Sequence, residues 1–251
     1  MSNSSLVNYT KISPNKTSPR NHAIDTITIH CVVGQLSVER LGNVFAPRTR
    51  KASSNYGIGP DGRIGMYVEE KDRSWCSSSG VNDNRAITIE VASDTTHPYA
   101  ITDAALKSLI KLCADICKRN GIKKLIWSNN KNDRVNHLNG VNMTCHRDFA
   151  NKACPGQYIY EREGYIADEV NKILSPSQSV VQAPIQNTSA FKVKVIIPDL
   201  NYREGPGMNY RVKGQTGKGV FTIVEIKNGW GKLKSGVGWI WLGNKNYCYR
   251  I

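Results

Sequence analysis

Residues 24–30 read IDTITIH and begin the part of the sequence that decides the fold. Apolar and polar side chains alternate along this stretch, which is typical of a β-strand with one face towards a core. Residues 86–92, AITIEVA, alternate in the same way and predict a second strand. Between them, residues 56–68 predict two short strands joined by the turn tripeptide Pro-Asp-Gly at positions 60–62.

Helical patterns separate and follow these strands. Residues 102–120 carry Leu, Ile and Cys side chains at helical spacing along one face, with Thr102 as N-cap and Gly121 as the C-terminal stop. Residues 163–174 have the same spacing, and Ser37 can cap a short helix that runs to Phe45. Strands that alternate with helices predict an α/β domain, in which a mixed sheet is flanked by helices.

A change of composition divides the chain. Residues 175–190, SPSQSVVQAPIQNTSA, contain no charged residue and are rich in Ser, Gln and Pro, which is typical of a linker. We therefore predict a first domain at residues 20–175, a linker at 176–190 and a second domain at 191–251; a long loop within one domain is the alternative. Short apolar runs between Gly-rich turns predict that the second domain is a small all-β barrel.

Charge and hydropathy limit the partners. The 251 residues include 34 Lys and Arg and 20 Asp and Glu, which gives a formal net charge of +14. Such a charge favours binding to polyanions such as nucleic acid or an anionic cell wall. The positive charge is spread along the chain without a nucleic-acid-binding motif, so we expect no nucleic-acid partner. No apolar run approaches the ~18 residues of a membrane helix, so we expect no membrane insertion. The polar N-terminus lacks the apolar core of a secretory signal. Seven Cys without a disulfide-like spacing favour reduced thiols.

Two short segments contain side chains that can bind a metal. His30 ends the first predicted strand, and His146 and Cys154 lie together in CHRDFANKACPG, residues 145–156. Imidazole and thiolate are good zinc ligands, and three protein ligands leave a fourth position open, which is typical of catalytic sites. From spacing alone the alternatives stay open, because a single His on a strand is usually a surface or core residue and a single Cys a small buried hydrophobe.

Four segments in order resemble one family. TITIHCVVG, NYGIGPDGRIG, AITIEVA and CHRDFANKACPG are similar to the type 2 N-acetylmuramoyl-L-alanine amidases, which include phage lysozyme-like amidases and the peptidoglycan recognition proteins. The resemblance covers about residues 20–175. It implies a zinc-dependent hydrolase that cuts the amide bond between N-acetylmuramic acid and L-alanine, with the peptidoglycan of a Gram-positive cell wall as its partner.

The resemblance also implies residue roles. The zinc ligands of the family fall on His30, His146 and Cys154. Three further residues are expected to be catalytic: Lys152 stabilises the oxyanion, Glu90 accepts and returns a proton, and Tyr56 donates a hydrogen bond. The chain departs from the family's pattern at Cys145, where Gly is common, and in the long, Asn-rich stretch 128–144.

The second domain resembles bacterial SH3-like domains at residues 200–207, 229–233 and 238–240, and such domains bind cell-wall peptides. An amidase joined to such a domain without a signal peptide resembles a phage endolysin or a bacterial autolysin. We therefore expect a protein made in the host cytoplasm that acts at the cell wall after release. The alternative is a non-catalytic peptidoglycan recognition protein. Such relatives tend to lose the third zinc ligand, whereas this chain retains Cys154.

Overall fold

The structure, a computed structural model of the chain, describes residues 2–175, 190–207, 210–227, 229–244 and 247–251. The chain separates into two compact units, one up to residue 177 and one from residue 178 onward. The predicted linker lies outside the described residues, apart from residue 190. Within the described ranges no helix is long and apolar enough to cross a membrane.

A mixed sheet forms the centre of the first unit. The strands described there are β1 (Tyr9–Thr10), β2 (Lys16–Thr17), β3 (Thr26–Cys31), β4 (Tyr56–Ile58), β5 (Ile64–Met66), β6 (Arg73–Ser74), β7 (Ala86–Val91) and β8 (Met143–Cys145). Six of them form one sheet in the order β1-β5-β4-β7-β3-β8, and β2 pairs with β6. The run β4-β7-β3-β8 is parallel, whereas β5 is antiparallel to β4. The carboxyl ends of β7, β3 and β8 therefore meet at one edge of the sheet.

Helices follow the strands closely. The helices of the first unit are α1 (Val38–Phe45), α2 (Gly80–Arg85), α3 (Asp103–Arg119), α4 (Lys131–Val135), α5 (Gly156–Tyr160) and α6 (Glu163–Leu174). The side chains of Ser37 and Thr102 cap α1 and α3 by accepting hydrogen bonds from backbone N–H groups, which confirms both predicted N-caps. Gly121 adopts a left-handed φ of +71° just after α3, a conformation that glycine tolerates. The sequence pattern did not predict α4.

The two faces of the sheet differ in chemistry. The face covered by α3 and α6 carries the main apolar core, which includes Ile29, Ile89 and Leu109. On the opposite face, the part around β3 and β8 is polar, and the hydroxyls of Thr28 and Thr144 lie 2.8 Å apart there. Leu41 and Tyr67 pack against β4 on the same face. Because side chains alternate along a strand, His30 shares this polar face with Thr28.

The second unit is all β, as predicted. Its described strands are β9 (Phe191–Val195), β10 (Asn201–Arg203), β11 (Val212–Gln215), β12 (Gly219–Lys227), β13 (Trp230–Leu233), β14 (Trp239–Trp241) and β15 (Cys248–Arg250). They form an antiparallel sheet in the order β11-β10-β14-β13-β12-β9-β15. Apolar side chains from several strands, such as Val195, Ile223 and Ile240, form its core. The two-unit architecture therefore confirms the predicted fold class, a mixed α/β unit followed by a small all-β unit.

Candidate active site

The structure brings the three predicted metal ligands together. His30 lies near the carboxyl end of β3, His146 begins a 3₁₀ turn directly after β8, and Cys154 precedes α5. One possible ligand atom from each residue lies within 4.8 Å of those of the other two. Cys154 Sγ is 3.3 Å from His30 Nδ1, and the two imidazole centroids are 5.1 Å apart. The cluster forms because β3 and β8 are parallel neighbours that end at the same edge of the sheet.

The protonation of these side chains suits a metal. Burial, followed by the positive charge of a protonated His146, lowers the pKa of His30 to about 3. Burial, followed by the charge of Lys152, also lowers the pKa of His146. Both imidazoles are therefore neutral at neutral pH, with a lone pair free for a ligand bond. Burial raises the pKa of the Cys154 thiol, and a bound cation favours its thiolate. Two neutral imidazoles and one thiolate fit zinc.

A buried ion pair fixes the turn that holds His146. Arg134, from the unpredicted helix α4, makes an ion pair with Asp148 at 2.6 Å, and both side chains are almost fully buried. The carboxylate of Asp148 also accepts a hydrogen bond of 3.0 Å from the backbone N–H of Cys145. Two residues that flank His146 are thus tied to the core, as is common around metal-binding histidines.

Contacts from Arg147 hold the segment of the third ligand. Its backbone N–H donates to the carbonyl of Cys154 at 3.2 Å, and its guanidinium donates to the carbonyl of Ala153. The backbone N–H of Cys31 donates to Cys154 Sγ at 3.4 Å. The thiol of Cys154 is therefore placed by neighbours on both sides before any ion binds.

Glu90 lies beside the metal cluster. It is the register partner of His30 on the neighbouring strand β7, so the two side chains share one face of the sheet. Its Oε1 lies 3.8 Å from Cys76 Sγ, and its Oε2 is buried without a hydrogen-bond partner. Burial raises the pKa of Glu90 to about 7, although Cys76 and the charge of Arg50 act in the other direction. A carboxyl group with this pKa suits proton transfer near neutral pH.

Lys152 is exposed two residues before Cys154. It lines an open depression of about 800 Å³ together with Lys131, Arg147 and the neighbouring residues 148–153. Its positive charge contributes to the lowered pKa of His146. The side chain of Lys152 is open to solvent.

Tyr56 is not part of this cluster, and the prediction of a catalytic role is wrong. Its hydroxyl donates to Glu70 Oε1 at 2.6 Å and accepts from the backbone N–H of Ser4 at 2.9 Å, in the core. In the register of β4 and β7, Tyr56 pairs with Ile89, whereas Gly57 pairs with Glu90. Tyr56 therefore points to the apolar face, opposite to the metal cluster. Burial and the neighbouring Glu70 raise the pKa of the Tyr56 hydroxyl above the ordinary value for tyrosine.

Two contacts near the site were not predicted. Ser78 Oγ lies 2.9 Å from His146 Nε2, and Cys76 contacts Glu90 as described above. Both residues lie in the segment WCSSSG, which has no spacing or motif that indicates a role. In contrast, Cys113 and Cys117 are buried in the core, as predicted from their place on the apolar face of α3.

The chain is similar to several known proteins. The family model described as N-acetylmuramoyl-L-alanine amidase (Amidase_2) matches residues 20–157. The solved structure of the amidase LysC from Clostridium intestinale is 17% identical, with a TM-score of 0.44 over 62% of this chain and 93% of its own. PlyL is 12% identical, with a TM-score of 0.48 over 67% and 97% of the two chains. The Drosophila peptidoglycan recognition protein SA is 14% identical, with a TM-score of 0.43 over 59% and 79%. No curated protein matches the chain.

Proposed function

Because this chain belongs to the N-acetylmuramoyl-L-alanine amidase family, we propose that it is a zinc-dependent amidase that lyses bacterial cell walls. Its substrate is the amide bond between N-acetylmuramic acid and L-alanine in peptidoglycan. The observation that carries the proposal is the convergence of His30, His146 and Cys154, three ligand types that suit zinc. All three lie within the residues that match the family.

The residues around the cluster divide the work of amide hydrolysis. When bound, zinc supplies Lewis acidity and makes hydroxide available at neutral pH. Glu90, whose pKa is raised to about 7, accepts the proton of the attacking water and passes it to the leaving amine. Lys152, at the open side of the site, stabilises the negative oxygen that develops on the scissile carbonyl. Tyr56 has no part in these steps, because its hydroxyl lies on the other face of the sheet.

The second unit is proposed to bind the wall as a bacterial SH3-like domain. Trp230 and Trp239 are buried and stabilise its fold, whereas Tyr210 is exposed and Trp241 is half-buried. The excess of positive charge along the chain suits an anionic Gram-positive wall. We propose that the protein is made in the host cytoplasm and reaches this wall after release, in the manner of a phage endolysin.

Digestion of purified Gram-positive peptidoglycan tests the function. We expect mass analysis of the products to show free stem peptides that begin with L-Ala and glycan strands that remain uncut. Removal of zinc by a strong chelator should abolish release, and added zinc should restore it. Binding to peptidoglycan without any cleavage by the zinc-loaded protein would instead favour the recognition-protein alternative.

A further inference from the structure

A second group of possible ligands shares His30. One ligand atom each from His30, Cys76 and Glu90 lies within 4.8 Å of the other two, as in the first group. The first group uses the Nδ1 side of the His30 ring, since Cys154 Sγ lies 3.3 Å from that atom. The other ring nitrogen, Nε2, is buried and has no hydrogen-bond partner among the residues that the structure describes. His30 is itself fully buried, so solvent does not satisfy this atom.

The carboxylate of Glu90 also has an oxygen without a hydrogen-bond partner among the described residues. Within the described part of the chain, its buried Oε2 has no hydrogen-bond partner and its Oε1 has the weak thiol contact of 3.8 Å from Cys76. Buried polar atoms are nearly always hydrogen-bonded, so two such atoms in one small cluster need an explanation. A cation held by His30, Cys76 and Glu90 would give both residues a further partner at once.

The chemistry of this second group selects the ion. A thiolate, a carboxylate and an imidazole form a mixed sulfur, oxygen and nitrogen set that suits zinc or a softer ion such as cadmium rather than magnesium or calcium. A divalent ion also balances the two negative charges of Cys76 and Glu90. This neutrality matters because an uncompensated charge in a buried site is costly.

We propose that His30, Cys76 and Glu90 form a second cation site for zinc or a similar thiophilic divalent ion. Binding forms a bond to Cys76 Sγ and releases the thiol proton to solvent, without any change of oxidation state. If both groups were filled, His30 would have to serve both ions through its two ring nitrogens and release its remaining ring proton to solvent. The repulsion of two nearby cations and this additional proton loss make the second ion weaker-bound than the first.

Binding of the second ion should inhibit the enzyme, an inference that rests on the proposed function. A carboxylate that coordinates a cation no longer accepts a proton from water. Filling of the second site therefore removes Glu90 from catalysis and inhibits the enzyme at high zinc concentration. The second site would thus act as an inhibitory zinc site directly beside the catalytic one.

Cadmium titration of the full chain tests the site. Each cadmium–thiolate bond adds an ultraviolet charge-transfer band, and the bound metal is counted in the same samples after gel filtration. We expect two bound ions in the native chain, with two increments of the band. Cys76→Ser and the isosteric Glu90→Gln should each weaken the second ion by more than about 100-fold, since even the loss of outer-shell partners costs about 10–100-fold.

A matched control separates this site from casual binding to thiols. Cys248→Ser removes one thiol from the second unit, where Cys248 Sγ contacts only a backbone carbonyl in the described contacts, and should still bind two ions. Circular dichroism checks that each variant is folded. Saturation of the native chain at one ion would overturn the proposal, as would second-ion binding of native strength in both Cys76→Ser and Glu90→Gln.

Activity measurements keep this inference apart from the proposed function. Cadmium binding is measured without substrate, so a chain that binds two ions but cuts no peptidoglycan contradicts only the proposed function. A chain that cuts peptidoglycan and binds one ion contradicts only the second site. In an active enzyme, excess zinc should inhibit the native chain and Cys248→Ser equally. Cys76→Ser, compared with its own activity at one bound ion, should resist inhibition.

Discussion

Replacing Tyr56 by Phe distinguishes a structural hydroxyl from a catalytic one. The hydroxyl donates to the buried carboxylate of Glu70 at 2.6 Å and accepts from the backbone N–H of Ser4 at 2.9 Å. Glu70 keeps its ion pair with Arg119 at 2.5 Å in the variant, but the Ser4 N–H loses its acceptor. Loss of a hydrogen bond to a charged group costs about 1.5–3 kcal/mol, and an unsatisfied buried amide about 1–3 kcal/mol. The N-terminal residues around Ser4 can move so that water accepts from this N–H, which reduces the cost. We therefore expect the free energy of unfolding to fall by about 2–4 kcal/mol in total.

Two measurements on the same samples test this expectation. Urea denaturation gives the change in the free energy of unfolding, and turnover of a defined muropeptide is measured well below the melting temperature. We expect turnover per bound zinc within about threefold of the native value, because the hydroxyl lies on the face opposite to the metal ligands. Unchanged stability together with a loss of turnover of about 100-fold or more, the scale of general acid–base catalysis, would refute the reasoning.

Three further substitutions test the site itself. Glu90→Gln should lower turnover by about 10²–10⁴ with zinc retained. Native activity should rise with pH through the raised pKa of Glu90, and the variant should lack this rise. Loss of zinc in the variant would instead show that Glu90 supports the metal site. Lys152→Ala should lower turnover by roughly 10²–10³ with unchanged unfolding, and near-native turnover would remove it from the mechanism. Arg134→Met should destabilise the fold by about 3–5 kcal/mol, because it leaves Asp148 buried without its partner; adding Asp148→Asn should recover part of this loss, and a purely additive double variant would contradict the coupling.

Local sequence pattern was sufficient for the longer helices and strands of the first unit, but it did not predict β1, β2, β6, β8, α2, α4 and α5. The helix predicted over residues 102–120 is found at Asp103–Arg119, because its cap, its apolar stripe and its terminal glycine all indicate the same limits. The strand predicted over residues 86–92 is found at Ala86–Val91 for the same reason. In contrast, α4 is only five residues long, and the buried ion pair of Arg134 with Asp148 joins it to the segment that follows β8. Such a contact depends on tertiary packing, which no local pattern reveals.

The metal ligands required more than spacing. His30 and His146 are separated by most of the first unit, and they meet only because β3 and β8 become parallel neighbours. The resemblance to a known family predicted that both histidines bind the same metal ion, which their separation in the sequence does not indicate. Neither residue spacing nor the family resemblance indicated Cys76, because it belongs to no motif. It reaches Glu90 through the loop that leads to α2, and its position is visible only in three dimensions.

The wrong prediction for Tyr56 has one physical cause, the register of β4 against β7. Side chains alternate between the faces of a strand, so two neighbouring residues in one motif serve opposite sides of the sheet. Gly57 takes the position beside Glu90, and a side chain there would collide with Leu41 and Tyr67. The polar face therefore has no room for a residue of β4 next to Glu90. The hydroxyl of Tyr56 instead joins the N-terminal segment to the buried Glu70. The same short strand therefore stabilises the core through Tyr56 on one face and packs closely against Leu41 and Tyr67 at Gly57 on the other.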